Sequence, residues 1–325
     1  MSAVLSAHNL VKHFPLGGWG KARRVVRAVD DVSFEVPAGE TLGVVGESGC
    51  GKSTTARLLV QLLAPTSGAV RFEGRVVGPE VPLKELRRHV QMVFQDSYAS
   101  LNPRMTLQQA IAFGPMVHGV SETEAQRTAM TLLERVGLDP SRFGQRYPHE
   151  VSGGQRQRVN IARALAFEPK VIVLDEAVSA LDKSVEAQVL NLLMDLKRER
   201  GLTYVFISHD LNVVRHISDR VMVMYLGEVA EIGPVREIYA EPRHPYTSAL
   251  LAAMPSLDPS RRTEEPPLLG DPPNPINPPA GCRFHTRCAH AMDICSARRP
   301  GDLAVGSRHL AACHLNDLAE KETAA

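Results

Sequence analysis

Apolar and polar positions follow two rhythms along this chain. Near the start the period is two: residues 3–10, 25–29 and 32–36 read as short strands, separated by a polar, Gly-rich stretch over 15–24 that carries no pattern. Pro37-Ala38-Gly39-Glu40 turns the chain into the apolar run 41–45. A helix over 54–63, a turn at 65–68, a hairpin strand over 69–77, a short helix over 83–90 and a strand over 90–94 ending at Gln95 are expected next. From 96 to about 166 the period is helical, with segments at 106–113 and 122–136 and a third helix opening at Ser152-Gly153-Gly154. The run 171–174, Val-Ile-Val-Leu, is short, β-branched and bounded by Pro169 and Asp175, as a strand buried on both faces of a parallel sheet reads. Helix 184–200, strand 203–207, helix 211–217 and strand 221–225 follow. Strands alternating with helices predict an α/β domain on a largely parallel sheet, with 96–166 as a helical insert.

The pattern changes after His244, which divides the expected organisation into a domain over 1–244 and an extension over 245–325. Seven prolines over 266–279 predict an extended linker. Beyond it, few large apolar residues remain, too few for an independent core.

Chemistry enters at Gly46-Glu47-Ser48-Gly49-Cys50-Gly51-Lys52-Ser53, which follows the run 41–45 and precedes a helix starting at Thr54. This is G-x-x-x-x-G-K-[ST] in its required strand–loop–helix context. Glycines let backbone N–H groups wrap phosphates, and the new helix presents its positive end to them. Lys52 would reach the β- and γ-phosphates and the Ser53 hydroxyl would ligate Mg²⁺. The sequence is therefore that of a nucleotide-binding protein. Asp175 and Glu176 close the buried strand 171–174, at the edge where such sheets bind ligands. Asp175 would hold Mg²⁺ through water, and Glu176 would polarise the attacking water.

Ser152-Gly153-Gly154-Gln155 is a helix start made of small residues, capped by Ser152, with unpaired N–H groups able to face an anion. The order of the whole set is more specific than any one piece. Gln95, Ser152 to Gln155, Asp175-Glu176, the segment Ser179-Ala180-Leu181-Asp182 and His209 resemble the Q-loop, signature, Walker B, D-loop and H-loop of an ABC nucleotide-binding domain. Phe14 looks like the aromatic that stacks on adenine. Tyr147-Pro148-His149-Glu150, Arg243-His244-Pro245-Tyr246-Thr247 and Asn277-Pro278-Pro279-Ala280-Gly281-Cys282 resemble the ATPase subunits of dipeptide and oligopeptide importers, most like their second, F-type, subunit. Val151 and Ala177 depart from the usual Leu or Phe and Pro, without removing a chemical group.

That resemblance implies a P-loop ABC ATPase: a RecA-like core, an antiparallel β subdomain, the helical insert and a Pro-rich, Cys-containing C-terminal extension. It implies ATP and Mg²⁺, with Ser53, Gln95 and Asp175 around the metal. The nucleotide would lie against Phe14, Gly46 to Thr54, Gln95 and His209, and against Ser152 to Gln155 and Asp182 across a head-to-tail dimer. His209 would contact the γ-phosphate and help orient Glu176 and water, while Gln95 would sense the nucleotide. Implied partners are a second ABC ATPase, two membrane permeases and an extracytoplasmic binding protein. Nickel, glutathione-like or sugar cargo would suit the same ATPase. A soluble ABC ATPase acting on ribosomes or DNA is the rival class. Two cores on a charged linker, or long coiled coils, would mark it, and this chain shows neither.

Composition constrains the partners. The net charge of +1 gives no footprint for nucleic acid or an anionic surface. No apolar run approaches the roughly 20 residues of a membrane span, so the transport path is expected on other subunits and this chain on the cytoplasmic face of the membrane.

Of five cysteines, Cys50 sits inside the phosphate loop, where a helix start and Lys52 would lower its pKa; a reactive thiol and an inert spacer are both open readings. The others, Cys282, Cys288, Cys295 and Cys313, are spaced C-x5-C-x6-C-x17-C. Disulfides are not expected in the cytosol, and soft thiolates converging on a metal would tie down a segment with no core. A zinc site that also uses His285, His290, His309 or His314 and a [4Fe–4S] cluster both fit the donor types. Resemblance to the peptide-importer ATPases, some of which carry such a cluster there, implies the second.

Overall fold

A computed structural model describes residues 3–17, 24–254 and 270–317. Residues 18–23 of the patternless stretch and 266–269 of the Pro-rich one lie outside the described residues. The chain divides into two units, the first comprising Met1–Leu5, Val36–Thr41 and Arg71–Ser208, the second Ser6–Glu35, Leu42–Val70 and His209–Ala325.

In the first unit, strands Val90–Val93, Val171–Asp175 and Thr203–Ile207 run parallel, with Val90 opposite Val171 and Val173 opposite Val205. Every residue of the last two is buried, which explains their unbroken apolar runs. The three longest helices of the helical insert are Leu107–Val117, Glu122–Arg135 and Gly153–Leu165, which pack on one another. Thr106 and Ser152 close capping boxes with Gln109 and Gln155, fixing where the first and third of these begin.

In the second unit, Leu42 to Val45 of strand Thr41–Val45 pair in parallel with Arg220–Tyr225, which pairs antiparallel with Glu228–Pro234. Two tail strands continue that sheet: His309–Ala311 pairs with Glu228–Pro234, and Leu303–Gly306 with His309–Ala311. A segment with too little apolar matter to fold alone is thus carried on the sheet's edge. The two short strands expected at 25–29 and 32–36 are one strand, Arg24–Pro37. Asp31 sits within it at φ 65°, a conformation Asp tolerates, and accepts a hydrogen bond from Asn9 Nδ2 at 2.8 Å. The first strand likewise runs on to Leu16, and the helix after the phosphate loop spans only Lys52–Leu59.

A buried polar knot fastens the tail. Glu231, on strand Glu228–Pro234 with its side chain fully shielded, accepts from the backbone N–H groups of Arg243 (2.8 Å) and His244 (3.1 Å) and bonds His309 Nε2 at 2.8 Å. Burial pushes the His244 pKa down to about 4, so its neutral form adds stability above the ordinary histidine pKa that fades as pH falls. Burial also pulls on His309, but its bonds to Glu231 and Glu237 outweigh that and raise its pKa. Its contribution is present below the ordinary histidine pKa and is lost as pH rises through the raised value. Glu231→Ala strands two amides and an imidazole, so a loss of about 3 kcal/mol or more is expected in denaturant unfolding. A midpoint equal to wild type would refute this.

Candidate functional site

The candidate residues are divided between the units. Gln95, Ser152 to Gln155, Asp175, Glu176 and Asp182 belong to the first; Phe14, the loop Gly46 to Ser53, Thr54 and His209 belong to the second.

In the first unit, buried Asp175 is the last residue of strand Val171–Asp175, and Glu176 follows it at φ 48°. A non-glycine residue at such a φ is strained, and here its neighbours hold it. The Glu176 N–H donates to Ile207 O at 3.0 Å, and Ser179 Oγ donates to the Glu176 carbonyl at 3.0 Å. Gln95 Nε2 donates to Glu176 Oε2 at 2.8 Å, joining the end of strand Val90–Val93 to the acid after the neighbouring strand. The carboxylate is therefore held by a side-chain amide N–H.

At Ser152 the capping is reciprocal: its Oγ accepts from Gln155 N at 3.3 Å, and Gln155 Oε1 accepts from Ser152 N at 3.0 Å. That leaves the first N–H groups of a thirteen-residue helix at an anion-favouring end. Gly154 has a second reason to be glycine. A Cβ there would lie 2.4 Å from Val185 Cγ1, in the first turn of helix Lys183–Arg200, which Asp182 caps by accepting from Val185 N at 3.0 Å.

Sequence reasoning missed the side chains that bind the segment after Gln95 to this helix. Fully buried Asn160 donates to Ser97 O at 3.1 Å and accepts from Ser100 Oγ at 3.0 Å. Arg163 donates to Ser100 O, and the Arg156 guanidinium lies 5.5 Å from the Tyr98 ring centroid. A polar residue on the apolar face of an amphipathic helix was the available signal for Asn160.

In the second unit, Gly46, Gly49 and Gly51 all have positive φ, at 145°, 78° and 110°. A Cβ on Gly46 would meet Met224 O at 2.2 Å and one on Gly51 would meet Ala28 O at 2.3 Å, so side chains are excluded at both. Lys52, buried, donates to Gly46 O at 2.7 Å and Glu47 O at 3.0 Å, which folds the loop around its own ammonium. A cavity of about 390 Å³ opens on the loop's outer limb, lined by Glu47 to Cys50 and by Pro272 to Pro275. Residues 272–275 of the Pro-rich segment are thus docked there, with Pro275 O accepting from Arg27 N at 3.1 Å. His209 is exposed immediately before helix Leu211–Ile217, whose cap Asp210 accepts from Asn212 N and Val213 N. Phe14 is half-buried on strand Ala3–Leu16, with the Lys12 ammonium 5.2 Å from its ring centroid.

Of the two readings left open for Cys50, the structure favours the inert spacer. The residue is 3% exposed and burial raises its pKa, outweighing the opposing pull of Lys52, whose Nζ lies 3.8 Å from the sulfur. Iodoacetamide at neutral pH is expected to label Cys50 at least about tenfold more slowly than a free thiol, with or without nucleotide. Labelling at the free-thiol rate, slowed by nucleotide, would favour the reactive thiol instead.

The four tail cysteines share one neighbourhood. Cys282 N donates to Cys295 O at 2.8 Å. Burial first, then the nearby Cys282, Cys288 and Cys295, push the Cys313 pKa up to about 11. Yet among the described residues no three His, Cys, Asp or Glu side chains are grouped as a metal ion requires. The metal centre expected of these cysteines is therefore not supported by their placement in this structure. Nor does any helix among the described residues have the length and apolarity to cross a membrane.

Comparison with known proteins gives two family matches in tandem: the ABC transporter family over residues 29–179, and the oligopeptide/dipeptide transporter C-terminal region over residues 230–295. A probable peptide ABC transporter ATP-binding protein of Sinorhizobium fredii is 53% identical, covering 96% of this chain and 90% of that protein. The di/tripeptide transport ATP-binding protein DppF of Pseudomonas aeruginosa is 47% identical over 97% of this chain and 98% of its own length. Among solved structures, cbiO1 of Clostridium perfringens, part of the transporter complex cbiONQ, superposes with a TM-score of 0.63 at 27% identity, covering 74% of this chain and 92% of that one. The ATP-binding cassette MJ0796, in a dimeric post-hydrolysis state with ADP and phosphate, gives 0.62 at 29% identity, covering 71% and 99%.

Proposed function

Since the chain belongs to the ABC transporter ATP-binding family and has the fold of its ATPases, we propose that it is the subunit that powers import of di- and oligopeptides across the cytoplasmic membrane. The observation that carries this is the extent of the likeness, which includes the C-terminal region and not the ATP-binding core alone. Its partners are then two permeases, an extracytoplasmic binding protein and a second ATPase, and its place is peripheral, on the membrane's cytoplasmic face.

In the mechanism we propose, Lys52 leaves the Gly46 and Glu47 carbonyls and turns to the β- and γ-phosphates, while the loop N–H groups and the start of helix Lys52–Leu59 take the remaining charge. Asp175, Ser53 and Gln95 offer hard oxygen donors suited to Mg²⁺, which when bound would neutralise charge on the phosphate oxygens. Glu176 accepts the proton of the attacking water, held in aim by Gln95 Nε2. His209 orients that water from the γ-phosphate side, and Phe14 stacks on the base. Ser152 to Gln155, with Asp182, bind the γ-phosphate held by a second subunit, so closure needs ATP and hydrolysis releases it. Asn160, Arg163 and Arg156 then tie Gln95's segment to the signature helix, giving the insert a rigid handle for moving a permease.

A strain lacking this protein is expected to stop using di- and oligopeptides as an amino-acid source while growing normally on free amino acids. Unchanged peptide uptake would reject the cargo; ATP hydrolysis by the purified protein would still test the ATPase separately.

For the tail we propose the finer reading, a [4Fe–4S] cluster on Cys282, Cys288, Cys295 and Cys313. It rests on donor chemistry, four soft thiols in one neighbourhood, and not on their spacing in this structure. Anaerobically purified protein should be brown and carry about four irons per chain. Colourless protein with one zinc per chain would overturn this without touching the ATPase.

A further inference from the structure

Glu47 is an odd residue to find in a loop that must bind a polyphosphate. Its carboxylate sits at the first variable position after Gly46, where a negative charge opposes the ligand. Every polar group of this residue is engaged. Its N–H donates to Tyr246 Oη at 2.9 Å, its carbonyl accepts from Lys52 Nζ at 3.0 Å, and its carboxylate is gripped by Arg287. That last contact is bidentate: Arg287 Nη1 to Oε2 at 2.7 Å and Nη2 to Oε1 at 3.1 Å, with the arginine side chain 6% and the glutamate side chain 23% exposed. Fork-on-fork geometry is the strong form of the pair, and partial burial spares it the screening that weakens surface ion pairs.

Arg287 comes from the cysteine-rich tail, 240 residues away in sequence. It ends the 3₁₀ turn His285–Arg287 between Cys282 and Cys288. The turn is held at its start by Gly281, where a Cβ would meet Cys295 O at 2.3 Å, and by Cys282 N bonding that same carbonyl. Tyr225 stands beneath the guanidinium, its ring centroid 6.0 Å away, and packs on Tyr246 and Phe284 at 4.6 and 5.3 Å between centroids. Both residues that grip Glu47 are therefore set by one aromatic cluster. When Lys52 turns toward phosphates, Arg287 is the cation that stays on Glu47.

We propose that Arg287 is a positioning residue for the nucleotide: by pairing with Glu47 it cancels a repulsive charge in the phosphate loop and fixes the loop's outer limb, making the C-terminal extension part of the ATP site. This rests on the reading that the loop binds ATP. It assigns the cysteine module a task in the ATPase whatever the module holds.

The test is nucleotide affinity of the full chain, titrated with the non-hydrolysable analogue AMP-PNP and with ADP. Arg287→Gln is expected to weaken AMP-PNP about tenfold, and ADP less, because the penalty follows ligand charge. Adding Glu47→Gln to it is expected to return AMP-PNP affinity to within about threefold of wild type, since both members of the pair are then neutral. A lost structural brace would not be mended by removing its other half. Should Arg287→Gln alone fail to fold, Glu47→Gln is compared with the double variant: equal affinities support the proposal, and a loss in the double variant overturns it. Wild-type affinity in folded Arg287→Gln, or no rescue by Glu47→Gln, overturns it as well. Failure of the wild type to bind AMP-PNP would instead overturn the ATPase reading on which it stands.

Discussion

Glu176→Gln is expected to bind ATP, accumulate as a closed dimer and lose turnover by about a hundredfold or more, the usual contribution of a positioned general base. The substitution removes basicity and little else. A glutamine at 176 keeps an oxygen to accept from Gln95 Nε2, now at 2.8 Å from Glu176 Oε2, and the backbone bonds to Ile207 O and Ser179 Oγ do not depend on the side chain. Buried Ala177 and Val178 hold the strained backbone in either case. Binding and catalysis should therefore separate. Steady-state phosphate release would collapse, while size-exclusion chromatography with ATP would show a persistent dimer. Turnover near wild type would remove Glu176 from its role and pass the search to another group near the end of strand Val171–Asp175.

What could be read from the sequence follows from the range of the forces involved. Strands Val171–Asp175 and Thr203–Ile207 were legible because burial on both faces is written into consecutive residues. The helix starts at Thr106 and Ser152 were legible because a capping box spans four residues. Strand Glu228–Pro234 was not: it puts Glu231 at its most buried point, a charge where the pattern calls for an apolar residue, and only Arg243, His244 and His309 explain it. The tail strand His309–Ala311 is three residues long and exists because a sheet edge waits for it. In the site, the phosphate loop, the acid pair and the signature helix announce themselves by spacing. The contacts of Asn160 with the segment after Gln95, and of Arg287 with Glu47, join residues 63 and 240 positions apart. No local pattern records them.

Lys52→Ala should fail at the step that Glu176→Gln passes. The ammonium of Lys52 is buried and bonded to Gly46 O and Glu47 O, so it already organises the loop without a ligand. In the proposed mechanism nucleotide binding exchanges those two carbonyls for phosphate oxygens, a trade that gains because the new acceptors are charged. Alanine forfeits that gain. At the 1.5–3 kcal/mol typical of a hydrogen bond to a charged group, ATP affinity should fall roughly 10- to 150-fold. It also leaves two carbonyls of the loop without their ammonium, so thermal unfolding of the free protein should shift down as well, by a few degrees for a loss of about 1 kcal/mol. The two effects answer to different states: the first needs ATP, the second does not. An equilibrium titration with ATP and a melt without it separate them. Wild-type affinity in the variant would show that Lys52 serves the loop alone, and the assignment of phosphate contact to it would fall.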